Sequence, residues 1–330
     1  MKTEEILKSL CQSGGISGDE RKIQDIFVDL ISPYCDEFQS DVMGNVWARK
    51  KNAQGKTIML EAHADKIGLM ISGITDEGFL LFAEIGGYDK KIMPSTLVTV
   101  FGKETVHGVI GSVPPHLKKK QKFTSDDLCI DIGMSKCEAE KIISVGDLAE
   151  FDTEYTPLLG ERAAASAFDD RAGLAAIVKA VELLKDDSVN VVAAASTQEE
   201  VGCRGAKCAA YNINPDVYIC IDVCHGKTPD ADKNVFALGG GPVITVGPNV
   251  QPYVSKKLIS TASDFKIDYQ IDVDSGNTGT NAWTVQIARM GIPTGLVSLP
   301  LRYMHTRYEV LSLKDIDLTA QLLAEFARRC

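Results

Sequence analysis

The sequence has no long apolar run, no paired cysteine framework and no excess of basic charge, and each absence removes a class of function. No stretch approaches the length needed to span a bilayer. The segment from Met1 to Leu10 sets Ile6, Leu7 and Leu10 among charges, which predicts an amphipathic helix without the apolar core of a signal peptide. Nine cysteines form an odd, scattered set, which fits reduced thiols in a cytoplasmic protein better than a disulfide framework. Cys220 and Cys224 flank Asp222, but the absence of a second pair at finger-like spacing argues against a structural zinc site. The net charge of -10 disfavours nucleic acid as a partner, because that affinity needs concentrated Lys and Arg. The one basic run, Lys118 to Lys120 with Lys122, meets Asp126 and Asp127 at once and reads as a solvated loop. The Gly239-Gly240-Gly241-Pro242 loop lacks the strand and helix that a phosphate cradle needs.

What is present is a chain of 330 residues, more than one domain's worth, with hydrophobic and charged fractions ordinary for a folded protein. Residues 1 to 66 alternate helix and strand. The run Thr57 to Asp65 is apolar before His63 and reads as an interior strand with a polar end. From about Gly68 to Leu159 short strand-like runs follow one another with glycine turns and little helix apart from Ser135 to Ile143. That predicts a small β-barrel or sandwich inserted into an α/β domain, with boundaries at 68–160 inside 1–67 and 161–330. The α/β pattern resumes at Ala163. Leu174, Ile177, Val178, Val181 and Leu184 mark a helix with Asp169 and Asp170 at its start, where capping accounts for one of the two. Two more apolar runs end in carboxylates, Val189 to Ala195 before Glu199-Glu200 and Val217 to Ile221 before Asp222. The last strand, from Thr294, delivers His305, and Leu313 to Arg329 closes the chain as a helix.

Collected, the polar residues at strand ends are His63, Asp169, Glu199, Glu200, Asp222 and His305. In open parallel sheets, sites form at the carboxyl ends of strands. Two imidazoles and three carboxylates suit two borderline divalent ions, with one carboxylate bridging. Because strand side chains alternate, adjacent glutamates cannot do the same job at one point. One can hold a metal while its neighbour serves as general base. His63 and Asp65, two apart, share a face, as a ligating imidazole and its orienting carboxylate need to.

The runs His63-Ala64-Asp65, Phe168-Asp169-Asp170-Arg171, Gln198-Glu199-Glu200-Val201-Gly202 with Arg204-Gly205-Ala206, Ile221-Asp222-Val223, and Met304-His305 with Glu309 carry a resemblance over essentially the whole chain. They resemble the cytosolic dinuclear metallo-aminopeptidases that include glutamyl aminopeptidases and the tetrahedral, dodecameric aminopeptidases. The resemblance implies a three-layer α/β/α metallo-exopeptidase domain and two divalent ions per subunit, zinc first, with cobalt or manganese as alternatives. It implies Asp169 as bridging ligand, His63 and Asp222 on one ion, Glu200 and His305 on the other, Glu199 as base and Asp65 orienting His63. It further implies short peptide substrates, a β insertion that makes dimers, assembly to a dodecamer, and a cis Asp169–Asp170 peptide. Asn281 stands where the family usually has Asp after Gly-Thr, and Arg307 where proline is common. These two are candidate substrate contacts, with His225 a third unless it is a surface-loop histidine. Two other readings compete: an endoglucanase-type glycosidase built on paired carboxylates, which leaves both histidines unexplained, and a non-catalytic scaffold, against which the intact ligand set argues.

Overall fold

A computed structural model describes all residues except 51–52, 113–114, 118–126, 230 and 232–233. The lysine run at 118–120 with Lys122, and Pro114, lie outside the described residues. By its contacts the chain divides into two units, one of Met1–Lys66, Tyr155–Met304 and Tyr308–Cys330, the other of Ile67–Glu154 and His305–Arg307.

The first unit is built on an eight-stranded sheet in the order Glu37–Ser40, Val46–Arg49, Val189–Ser196, Gln54–His63, Val217–His225, Thr294–Leu301, Val243–Val246, Gln270–Val273. Its four central strands are parallel. Alternation explains why their sequences are apolar throughout: both faces are covered. Ile58, Leu60 and Ala62, with Ile219, Ile221, Val297 and Leu299, meet the helices Thr3–Cys11, Arg21–Ile31, Phe168–Leu183, Pro252–Asp264 and Leu313–Arg328. Met59, Val192, Ala194, Tyr218 and Leu296 face the opposite way, onto Gly205–Ile213 and Asn281–Val285. Each buried Ile, Leu, Val or Met among them contributes on the order of 1.5–3 kcal/mol, so the strand register is firmly held. In that register Ser196 lies beside His63 and Ser298 beside Asp222, which brings the polar strand ends to one edge of the sheet. A separate three-stranded sheet, Thr156–Leu158, Arg162–Ala165 and Glu309–Ser312, pairs Ala165 with Glu309 just before the Asp169 helix.

The second unit is a closed six-stranded barrel, in the order Gly68–Ile74, Leu80–Ile85, Leu128–Asp131, Thr105–Ser112, Leu97–Phe101, Leu148–Phe151. Leu69, Ile71, Leu80, Val98, Val100, Ile110 and Ile130 fill it, and closure removes the open edges that short strands would otherwise expose. Among the described residues no helix is long and apolar enough to cross a membrane.

The carboxylate of Glu182, in the last turn of helix Phe168–Leu183, gathers the Met1 ammonium at 2.9 Å, the Tyr34 hydroxyl at 2.9 Å and the Lys179 ammonium at 2.6 Å. Burial pushes its pKa up, but these three donors outweigh burial and hold it down at about 2, against an ordinary 4.5. The stabilisation is therefore present above pH 4.5 and is lost as pH falls toward 2. Glu182→Gln is expected to cost roughly 1 kcal/mol at pH 7, allowing for solvent screening. Melting curves should show that deficit shrinking steadily below pH 4.5. A deficit constant down to pH 2.5 would contradict it.

Candidate active site

His63 ends its strand with 1% of its surface exposed. Its Nδ1 lies 3.0 Å from the backbone carbonyl of Asp65, and its Nε2 lies 3.0 Å from Asp169 Oδ1. Nδ1 donates to that carbonyl. Burial disfavours charge on the ring, but Asp169 and then Asp65 outweigh it and raise His63 well above the usual histidine range. Nε2 therefore donates to Asp169 Oδ1, and a bound cation would take that proton's place. Asp65, fully buried, does more than orient the ring. Its carboxylate accepts from Ser17 Oγ at 2.6 Å and from the backbone N–H groups of Glu199 and Glu200 at 3.0 and 3.2 Å. Burial alone would raise its pKa, but the hydrogen bond and charge of His63 and the hydroxyl of Ser17 hold it below the usual carboxylate range.

The Glu199-Glu200 turn is gripped from several sides. Glu20, itself buried, accepts from Gly18 N–H and from Gln198 N–H at 3.3 Å, and Asn45 Oδ1 accepts from Thr197 N–H at 3.0 Å. Gln198 and Cys203 both hold left-handed backbone angles, at φ 57° and 52°. Ala167, Tyr303 and His305 do so too, at 61°, 61° and 58°. Such conformations cost a residue with a Cβ on the order of 1 kcal/mol, and here they cluster beside candidate site residues, which is where folds retain them.

The Asp169–Asp170 peptide is cis, as the resemblance implied. Asp169 sends its N–H to Glu309 Oε2 at 3.2 Å and its carboxylate toward His63. Asp170 turns the other way: one oxygen caps the helix by accepting from Gly173 N–H at 3.0 Å, while Oδ2 is buried without a hydrogen-bond partner. Asp222 is 5% exposed and accepts from Val223 N–H.

One ligand atom from each of His63, Asp169 and Asp222 lies within 4.8 Å of the other two, and Asp169 and Glu200 present carboxylate oxygens within 4.8 Å of each other. The electrostatics of this arrangement are unfavourable for bare carboxylates. Burial, then the charges of Glu199 and Asp169, push Asp222 well above the carboxylate range, and His63 offsets only part. Burial, then Asp222 and Asp169, do the same to Asp170. Burial raises Glu199 to about 7, with Asp169 and Glu200 adding to it and His63 and the Cys203 thiol opposing. A buried imidazole faced by the Asp169 and Asp222 carboxylates is a donor set that fits a divalent cation.

The remaining candidates fall elsewhere. Asn281 is 1% exposed, and its Nδ2 donates to Glu61 at 2.9 Å and Ser196 at 3.2 Å, so it supports the interior instead of offering its amide to a substrate. His225 is exposed at the end of its strand. Arg307 groups with the second unit, where its Nε donates to the Asp152 carbonyl at 2.7 Å. Glu61 is absent from the candidates drawn from sequence, although a charge inside an interior strand is a signal that could find it. It is fully buried, accepting from Ser196 Oγ and Tyr218 Oη, both at 2.5 Å.

A model of the M42 glutamyl aminopeptidases matches residues 44–322. The chain is 37% identical over 332 residues to a lysyl aminopeptidase of Pyrococcus furiosus, covering 96% of this chain and 94% of that one. Among solved structures, an aminopeptidase from Desulfurococcus kamchatkensis superposes with a TM-score of 0.93 at 37% identity, covering 99% of this chain and 95% of that one. A Pyrococcus horikoshii peptidase described as assembling into a tetrahedron or a large octahedral shell gives 0.87 at 34%, with 99% of each chain covered.

Proposed function

The chain belongs to the M42 glutamyl aminopeptidase family and is an aminopeptidase, and on that premise we propose that it trims short peptides from their amino end using two divalent ions per subunit. His63, Asp169 and Asp222 would hold one ion, and Asp169, Glu200 and His305 the other. When bound, such ions polarise the scissile carbonyl and bring the pKa of water toward neutrality. Glu199 accepts the proton of the attacking water and delivers it to the departing amine. Asp65 keeps His63 Nε2 turned toward Asp169 and fixes the backbone of both glutamates.

The observation that carries this reading is the single buried imidazole faced by Asp169 and Asp222, with Glu200 close to Asp169. For His305 the support is local. It sits in a loop closed by the reciprocal Arg302–Val310 backbone hydrogen bonds, at a left-handed φ of 58°. The test is a panel of aminoacyl chromogenic substrates assayed after chelation and after return of zinc, cobalt or manganese. Activity should vanish on chelation and return with the preferred cation. Full activity in excess chelator after dialysis overturns the reading, and release of reducing sugar under those conditions would favour a glycosidase.

Self-association belongs to the same proposal. The stretch Ile67–Glu154 supplies none of the proposed ligands, yet it exposes Met70, Leu81, Leu97 and Val109. It is read as the contact module of a closed homo-oligomer, extended by likeness to a twelve-subunit shell that admits peptides and spares folded proteins. Light scattering should find dimers or larger at micromolar concentration; an active monomer would refute it. The nine free cysteines support a cytoplasmic setting.

A further inference from the structure

The turn after Glu199-Glu200 ends in a cysteine that no step above employs. Cys203 is held at three points. Its N–H donates to the Glu199 carbonyl at 2.8 Å, its own carbonyl accepts from Thr284 Oγ1 at 3.0 Å, and its Sγ lies 3.0 Å from Glu199 Oε1. Residue 203 adopts its left-handed φ of 52° without being glycine, and that conformation folds the side chain back over residue 199. Gly202, at φ 122°, and the bonds from Arg204 N–H to the Gln198 carbonyl and from Gly205 N–H to the Thr197 carbonyl complete the fold-back. Glu199 is only partly buried and its backbone is pinned by Asp65, so its carboxylate is the part left to be fixed. A glutamate side chain has three rotatable bonds, and an unrestrained carboxylate would sample orientations that do not face the attacking water.

We propose that Cys203 is a positioning residue for Glu199: its thiol donates to Oε1 and holds the carboxylate in one orientation, leaving Oε2 to receive the proton. The inference rests on the reading of Glu199 as general base. Cys203 needs no contact with substrate or cation for this role. The thiol is a weak donor, so the contribution is modest. A group that acts by orientation alone changes turnover and leaves the affinity for the peptide and the cations where it was.

The experiment compares Cys203→Ala, Cys203→Ser and Glu199→Gln in the fully metal-loaded enzyme, reading kcat, KM and metal content by elemental analysis. Cys203→Ala is expected to lower kcat by about 5–10-fold, the effect of one lost hydrogen bond, with KM and metal content unchanged. Cys203→Ser restores a donor at the same point and should recover most of the loss. Combined with Glu199→Gln, Cys203→Ala should add nothing, because the carboxylate it positions is already gone. If Cys203→Ala turns over like the wild type while Glu199→Gln is crippled, the inference falls and the base reading stands. If Glu199→Gln is itself fully active, the base reading falls and takes the inference with it. Equal losses in the Ala and Ser variants, or loss of metal in either, would make Cys203 a structural residue and overturn the proposal.

Discussion

Glu199→Gln is expected to lower kcat by roughly 10²–10⁴-fold while the protein keeps its metal, because the amide preserves shape but cannot take up the proton of the attacking water. The structure supplies the separation that this needs. Glu200 brings a carboxylate oxygen within 4.8 Å of one on Asp169, whereas Glu199 Oε1 is engaged by Cys203 Sγ. Burial raises the Glu199 carboxyl to about 7, helped by its acidic neighbours, and a cation placed among those acids would draw it back down. With that cation in place Glu199 is ionised at neutral pH, the state a proton acceptor needs. Glu200→Gln should behave differently, losing metal together with turnover. Elemental analysis beside steady-state kinetics separates the two. Equal metal loss in both variants would mean that the glutamate roles are misassigned.

The two glutamates are legible as a pair just past an apolar strand, but the alternation by which the sequence divides their roles does not reach them: the strand ends at Ser196, and the pair lies in the turn beyond it, after the left-handed Gln198. His63 is legible as a strand end and Asp222, although its strand continues to His225, as the residue that closes an apolar run, which only a doubly covered parallel strand tolerates. Elements too short to carry a period are not. The barrel-closing strands Leu128–Asp131 and Leu148–Phe151 have four residues each, and the strand Arg162–Ala165 reads as an undifferentiated small-residue stretch. The supporting shell is hidden for another reason. Glu20 and Asn45 reach the 197–200 turn, and Ser17 reaches the Asp65 carboxylate, from segments far away in sequence, and no local pattern encodes such meetings. Cys203 carries no signal of its own, because a turn cysteine has no periodicity and its chemistry depends wholly on the fold-back that places it. Asn281 is conspicuous in the sequence as a departure from the family pattern, but the bonds its Nδ2 makes to Glu61 and Ser196 are not, since they come from segments far away in the chain.

Asp65→Ala is expected to damage the site from both sides at once. The residue links the imidazole of His63 to the turn that carries Glu199 and Glu200, since its carboxylate lies 3.5 Å from His63 Nδ1 while accepting both glutamate N–H groups and the Ser17 hydroxyl. The Nδ1 hydrogen bond to the Asp65 backbone carbonyl survives in alanine, so losing the carboxylate 3.5 Å away removes its charge beside the imidazole and should weaken metal affinity by less than the roughly 10–100-fold typical when the orienting partner itself is lost. Here the loss also leaves two backbone donors at a part-buried turn without their acceptor, at about 1–3 kcal/mol each unless water replaces it. The turn would relax to recover those bonds and carry Glu199 away from its position, so turnover should fall by roughly 10²–10³ even when metal is supplied in excess. Asp65→Asn keeps an acceptor oxygen for one N–H but places an amide group where the other donor points, and should lie between wild type and alanine. Metal titration followed by kinetics at saturating cation distinguishes the two contributions. If excess cation restores full turnover to Asp65→Ala, the carboxylate acts on His63 alone, and the hydrogen bonds to the glutamate turn are dispensable for positioning the base.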